Sequence, residues 1–259
     1  MKVAGIDDEE IVIPSEAKAS EAEAIEPAPR PNWGLVVACI GDSITKGRIW
    51  DPGSRPKITR NSFPSLLGRV FEGVRFVNAG VTNNTSADVL ARLGRDALNQ
   101  GPGCVIVEVG GNDCNVDWAE VAAKPDEPHG AIVGLEDFRC NLAEIAAHVR
   151  AAGATPIFST LPPLDAGRYY AFLRRVYSDL IAKWICLNGG IFHWQEQYSR
   201  AVAEVAKDVG VALADVRARF LETADYRRLV SEDGLHPNEK GYLLMATEYA
   251  RVLAALGVG

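Results

Sequence analysis

Residues 35–47 read Leu35-Val36-Val37-Ala38-Cys39-Ile40-Gly41-Asp42-Ser43-Ile44-Thr45-Lys46-Gly47. Six apolar side chains run without polar alternation into a Gly-Asp-Ser turn. A strand with one wet face would alternate; an unbroken run of this length suits a parallel strand covered on both faces. In sheets of that kind, sites form where the strands end at their carboxyl edge. Ser43 therefore stands at such an edge.

Working outward, the same kind of segment recurs at 74–78, 104–109, 154–160 and 209–215. Helical patterns lie between and after these segments, at 62–71, 86–98, 135–152, 194–209 and 238–256. The first has Ser62 and Pro64 at its start, which suits a helix N-terminus. The third repeats Phe138, Leu142, Ile145, Ala146 and Val149 on one side and stops at Gly153, a helix terminator. Strand–helix alternation predicts an α/β fold, a three-layer αβα sandwich around a central five-stranded parallel sheet with right-handed crossovers. On that reading Asn112 follows the third strand at the same edge as Ser43.

Two connections exceed ordinary loop length, 48–61 and 115–134, and long loops in compact folds often line a site. The segment 165–190, with Tyr169, Tyr170, Phe172, Tyr177 and Trp184, reads as an additional helix.

The chain has 259 residues and a net charge of −7. Residues 1–31 carry eight acids against three bases, so −5 of that charge sits in an arm expected to stay disordered. The expected organisation is that arm followed by one domain at 32–259. The near-neutral remainder gives no electrostatic case for nucleic acid or an anionic membrane surface. No apolar stretch approaches the ~20 residues of a membrane helix. Met1 to Arg30 does not read as a secretory leader, so the expectation is a cytoplasmic protein with no membrane or nucleic-acid partner. The five cysteines include no C-x-x-C pair, and Cys39 and Cys104 fall inside expected strands, where cysteine acts as a small hydrophobe. His129, His148 and His193 show no ligand spacing with a carboxylate or cysteine, so no metal and no cofactor is expected.

A serine hydroxyl needs a base to remove its proton during attack, and an imidazole, ordinarily titrating near ~6.5, suits that task. His236 in Asp233-Gly234-Leu235-His236-Pro237 is the candidate base. Asp233, three residues earlier, can accept the imidazole Nδ1 hydrogen and fix the tautomer.

These blocks together carry a resemblance. Gly41-Asp42-Ser43 followed by Ile44, Thr45 and Gly47, then Gly110-Gly111-Asn112-Asp113, then Asp233-Gly234-Leu235-His236-Pro237 resemble the SGNH hydrolases, also called GDSL esterases/lipases, over about residues 34–256. Gly-Asp-Ser alone is weak; three blocks in this order form a strong signal. The resemblance implies the flavodoxin-like SGNH hydrolase fold, with Ser43 as nucleophile, His236 as base and Asp233 as its orienting partner. It also implies an oxyanion hole built from the Ser43 backbone N–H, a glycine N–H of a second block and the Asn112 side chain.

The second block, in Asn78-Ala79-Gly80-Val81-Thr82-Asn83-Asn84-Thr85, departs from the pattern. The donor glycine should stand three residues after Gly80, where this chain has Asn83. Either the turn survives, because asparagine tolerates the left-handed region, and Asn83 donates its N–H, or the hole is altered and activity is low. Asp42 braces the nucleophile turn or borders substrate, and Gly80 keeps a tight turn or borders substrate. Trp50 and Trp118 are either stacking walls beside Ser43 or loop anchors. Arg48, Arg55, Lys57 and Arg60 make the first long loop basic, which would favour an anionic substrate or simply be solvated.

Two functions follow. One is a metal-independent serine esterase for a short-chain carboxylic ester, with O-acetyl on a carbohydrate as the candidate substrate and thioesterase or lysophospholipase chemistry as the alternative. The other is a catalytically weak binding module on the same fold, motivated by Asn83.

Overall fold

The computed structural model describes residues 35–51 and 55–258; the acidic arm at 1–31 lies outside them. The chain enters the sheet through β1 (Val36–Gly41), turns through the one-turn helix α1 (Ser43–Lys46), and pairs β2 (Arg48–Ile49) with β3 (Lys57–Ile58) as a short antiparallel ribbon. There follow α2 (Phe63–Val70), β4 (Arg75–Gly80), α3 (Ser86–Asp96), β5 (Cys104–Glu108), α4 (Trp118–Ala123) and α5 (Leu135–Ala151). Next come β6 (Thr155–Ser159), α6 (Ala166–Val176), α7 (Ile181–Leu187), α8 (Ile191–Asp208), β7 (Ala212–Ala214), α9 (Val216–Leu221) and α10 (Glu239–Ala255).

The five strands expected from the apolar runs form one parallel sheet in the order β4-β1-β5-β6-β7. Successive side chains of a strand face opposite ways, and both ways here are dry. Ala38 and Ile40 of β1 join the core beneath α3, α5 and α8, while Val37 and Cys39 join the core beneath α2 and α10. That double burial is why the run 35–40 lacks alternation.

The segment 165–190 forms two helices, α6 and α7, rather than one. The chain breaks at Ser178, whose hydroxyl accepts the Leu180 N–H at 3.2 Å. α6 and α7 pack with α4 around a third apolar cluster that includes Trp118, Trp184, Tyr169 and Ile181.

Chain order places the reversal of the strand sequence at β1, which has β4 on one side and β5 on the other. Sheets of this class open a crevice at that switch point. Helices leaving the carboxyl edge are fixed by side-chain caps, each typically worth about 1 kcal/mol. Asp42 caps α1, Thr85 and Asp88 form a capping box on α3, and Asn238 caps α10. The loops after β1, β4 and β5 and the turn before α10 therefore converge on the crevice with defined starts. No helix among the described residues is long and apolar enough to cross a membrane.

Candidate active site

Ser43 is the first residue of α1. The Asp42 carboxylate accepts the Ile44 N–H at 2.8 Å and so sets the turn that presents the serine. Gly41 is required here, because a Cβ at this position would lie 1.9 Å from the Glu108 carbonyl oxygen on β5.

The Ser43 Oγ lies 2.8 Å from His236 Nε2, across 193 residues of sequence. On the other side of the ring, His236 Nδ1 lies 2.5 Å from Asp233 Oδ2. With the carboxylate taking the Nδ1 hydrogen, Nε2 is left to accept from the serine hydroxyl. Ser43, Asp233 and His236 are 6%, 3% and 6% exposed, so water does not compete for these bonds.

The Asp233–His236 turn is self-supporting. Asp233 Oδ1 accepts the N–H groups of Leu235 and His236, both at 3.1 Å. Ser231 N–H donates to the His236 carbonyl at 2.8 Å, and Glu232 N–H donates to the Trp50 carbonyl at 3.1 Å. Burial alone would raise the Asp233 carboxyl. The His236 hydrogen bond and charge, with the two backbone N–H groups, outweigh it and hold the group below the ordinary carboxylate range.

Asn112 follows β5 as expected. Its Nδ2 donates to the Asn84 carbonyl at 2.9 Å and more loosely to Asp42 Oδ2 at 3.3 Å. Asn83 has φ +66°, and it is the one non-glycine residue with positive φ among those described. The turn from Val81 to Asn84 is closed by the Asn84 N–H on the Val81 carbonyl at 3.2 Å. Its third position, where such turns take Gly or Asn, thus keeps the conformation that a glycine would have had.

Of the four residues expected to border substrate, Asp42, Trp118 and Gly80 are buried in structural roles. Asp42 is 2% exposed and Trp118 is 3% exposed. Trp118 anchors the loop after β5 instead: its Nε1 donates to Asn115 Oδ1 at 2.7 Å, and its ring packs on Trp184 and Trp194. Gly80 is buried because the backbone of Lys46 passes over it; a Cβ there would meet the Lys46 nitrogen at 2.2 Å. Trp50 stays half-buried, edge-on to Phe172 with 5.0 Å between ring centroids.

His129, His148 and His193 stay out of the site, bonded to the Lys124 carbonyl, Glu144 and Gln197 respectively. Lys57 of the basic loop pairs with Asp51. Among the described residues the five cysteines are free, and no group of three or more His, Cys, Asp or Glu could hold a metal ion.

Three buried carboxyls surround the switch point. Burial pushes Asp42 up to about 6, against the opposing pull of the Ile44 N–H and the His236 charge. Glu108, on β5, is fully buried; desolvation first and the Asp42 charge second hold its carboxyl well above the usual range. Asp113 accepts the Ser86 N–H at 2.8 Å and the Ser86 hydroxyl at 2.5 Å, tying the β5 loop to the start of α3.

Sequence reasoning missed Arg92 and Asn84. Arg92, on α3, is 7% exposed and bonds Asn84 Oδ1 and the carbonyls of Ala79 and Gly41. One signal existed: Arg92 occupies the same helix face as Val89 and Leu93, where an apolar residue belongs.

A small cavity of about 10 Å³ lies beside the loop that carries Asn112, lined by Gly111, Leu164, Ile191, Trp194 and Leu235 among others. A larger groove of about 460 Å³ runs between α9 and α10 and contains none of the residues of the Ser43–His236–Asp233 line.

The chain is similar to known proteins in sequence and in fold. The family model of the GDSL-like Lipase/Acylhydrolase family matches residues 39–244. The chain is 25% identical to an acetylxylan esterase of Geobacillus stearothermophilus over 82% of its own length and 90% of that protein. It is 24% identical to the thioesterase 1/protease 1/lysophospholipase L1 of Escherichia coli K12 over 84% of its length and 82% of that protein. Among solved structures, a lipase/acylhydrolase from Enterococcus faecalis superposes with a TM-score of 0.64 at 21% identity, covering 86% of this chain and 96% of that one.

Proposed function

Because the chain belongs to the GDSL-like Lipase/Acylhydrolase family, we propose that it is a serine esterase that hydrolyses short-chain carboxylic esters through an acyl-serine. The observation that carries this is the buried Ser43–His236–Asp233 line, with contacts of 2.8 and 2.5 Å. Ser43 Oγ attacks the ester carbonyl carbon and its proton passes to His236 Nε2. Asp233 stabilises the imidazolium so formed. The oxyanion is met by the N–H groups of Ser43 and Asn83 and by Asn112 Nδ2, whose looser hydrogen bond, at 3.3 Å to Asp42, is the one it exchanges. Collapse breaks the C–O bond, and the alcohol leaves with the proton from His236. A water then gives its proton to His236 and attacks the acyl-serine, and the acid departs as Ser43 recovers its hydrogen.

Trp50, half-buried and near the Asp233 turn, supports a sugar as the alcohol. An O-acetyl group on a carbohydrate is therefore the substrate class we favour, in keeping with the name of the acetylxylan esterase relative. Thioesterase or lysophospholipase chemistry is the alternative that the Escherichia coli relative's name offers; it would need a long apolar groove at Ser43. A binding module would need a broken oxyanion turn, whereas Asn83 keeps a left-handed φ.

The test is hydrolysis of p-nitrophenyl acetate, butyrate and octanoate, then acetate release from acetylated xylo-oligosaccharide, by the wild type and Ser43→Ala. We expect acetate to be the fastest ester and the variant to lose at least about 10⁴-fold. Equal rates in the two proteins would remove the nucleophile. Octanoate outrunning acetate would favour the thioesterase reading, and ligand binding without fluorophosphonate labelling of Ser43 would favour the binding module.

A further inference from the structure

The buried guanidinium of Arg92 has no role in the triad, yet its bonds converge on the other half of the site. Its Nη2 donates to the Gly41 carbonyl at 2.8 Å, where β1 ends. One Nη1 hydrogen bond goes to the Ala79 carbonyl at 2.8 Å, near the end of β4, and another to Asp96 at 3.1 Å. Its Nε donates to Asn84 Oδ1 at 2.6 Å. Gly41 O also accepts the Val81 N–H at 3.0 Å, so the guanidinium closes on both ends of the same turn.

The turn bears both distal donors. Asn83 lies within it at φ +66°. Asn112 hangs from it through Nδ2 on the Asn84 carbonyl. Thus Asn84 takes Arg92 on its side chain and Asn112 on its main chain. A planar fork with five donors satisfies acceptors in these several directions at once, and an ammonium on a flexible stem does not. A buried cation facing mostly neutral carbonyls is costly to keep, and apolar packing at this position of α3 would fill the same space.

We propose that Arg92 is a positioning residue that sets the geometry of the oxyanion-binding side, holding Asn83 N–H and Asn112 Nδ2 at a common point next to Ser43. The inference rests on the esterase reading above. It also accounts for the absence of the usual glycine: the turn is held from outside, so its third residue need not be the most permissive one.

The experiment compares wild type, Arg92→Lys and Asn84→Ala on p-nitrophenyl acetate, with the fraction of competent enzyme counted by fluorophosphonate titration. Losing one oxyanion donor outright costs roughly 10²–10³-fold, so displacing two should cost Arg92→Lys about 10- to 100-fold in kcat per titrated site. KM should stay within about twofold, and affinity for a trifluoromethyl ketone, which forms a tetrahedral oxyanion, should fall in step with kcat/KM. Asn84→Ala keeps the main-chain acceptor for Asn112 and should fall in the same direction by about 3- to 10-fold; it decides the matter if Arg92→Lys does not fold. A purely structural role would lower Tm and the titrated fraction while leaving kcat per titrated site and the ketone affinity unchanged, and that result would overturn the proposal. Failure of the wild type to hydrolyse or label at all would instead sink the esterase reading.

Discussion

The two sides of the crevice are built by opposite means. The base side is local: Asp233 and His236 are three residues apart, and Asp233 Oδ1 alone takes two N–H groups of their own turn. The side proposed to bind the oxyanion is assembled from segments around residues 43, 83 and 112, the latter two joined through Asn84, which Arg92 bonds, rather than by sequence proximity. The lesson is about how each side fails. A local turn carries its geometry with it, so damage there falls on chemistry. A distributed hole depends on remote bonds, so residues that touch no substrate can set the rate.

The sharpest way to break this contrast is Asp233→Asn. An amide in that place favours the wrong imidazole tautomer while leaving shape intact, a change that costs a triad about 10⁴-fold in turnover. We expect a loss of about 10³- to 10⁴-fold in kcat, with the fold retained by circular dichroism. The stability effect has a defined sign. A carboxyl held below its unfolded value contributes stability above that value and loses it as pH falls through the folded one. The Tm deficit of the variant should therefore be full at neutral pH and shrink below about pH 4. A deficit independent of pH would show that the Asp233 charge does not stabilise the turn.

Asn112→Ala probes the opposite side. Removing one oxyanion donor should lower kcat by roughly 10²–10³-fold with little change in KM. The loss should be smaller than for Asp233→Asn, because two backbone donors remain. If Asn112→Ala raised KM and spared kcat, the side chain would be binding ground state rather than oxyanion.

The same asymmetry decided what could be read in the chain. The five strands were legible because burial on both faces writes an unbroken apolar run, and observed bounds differ from expected ones mainly at β7, which spans Ala212–Ala214 within the expected 209–215. Ser43, Asp233, His236 and Asn112 were legible because each closes a short block at a strand end or helix start. Arg92 was not: its acceptors include two backbone carbonyls, and a carbonyl leaves no mark in the residue letters. Trp118 read equally well as wall or anchor, because an aromatic in a long loop does not say which side of the loop is wet; the cluster formed by α4, α6 and α7 makes it an anchor. The break of 165–190 into two helices escaped notice because aromatic content there masks the short Ser178-Asp179 stop.

Glu108 sharpens the contrast from beneath, with the smallest expected effect. It is fully buried under α1, where Oε2 accepts the Thr45 hydroxyl at 3.1 Å and Oε1 has no partner among the described residues. Its carboxyl is held well above the unfolded value, first by desolvation and then by the Asp42 charge. For a raised carboxyl the folded state binds the proton more tightly, so stability is full below the unfolded pKa of about 4.3 and falls as pH rises toward the folded value. Glu108→Gln keeps an oxygen for Thr45 and removes that titration. The variant should gain on the wild type in Tm as pH is raised from 5 to 8, while kcat stays within about twofold. The wild-type slope should not vanish entirely in the variant, because Asp42, pushed up to about 6, titrates in the same direction. Parallel Tm profiles for the two proteins would mean that Glu108 is not the group linking protons to folding beneath the nucleophile.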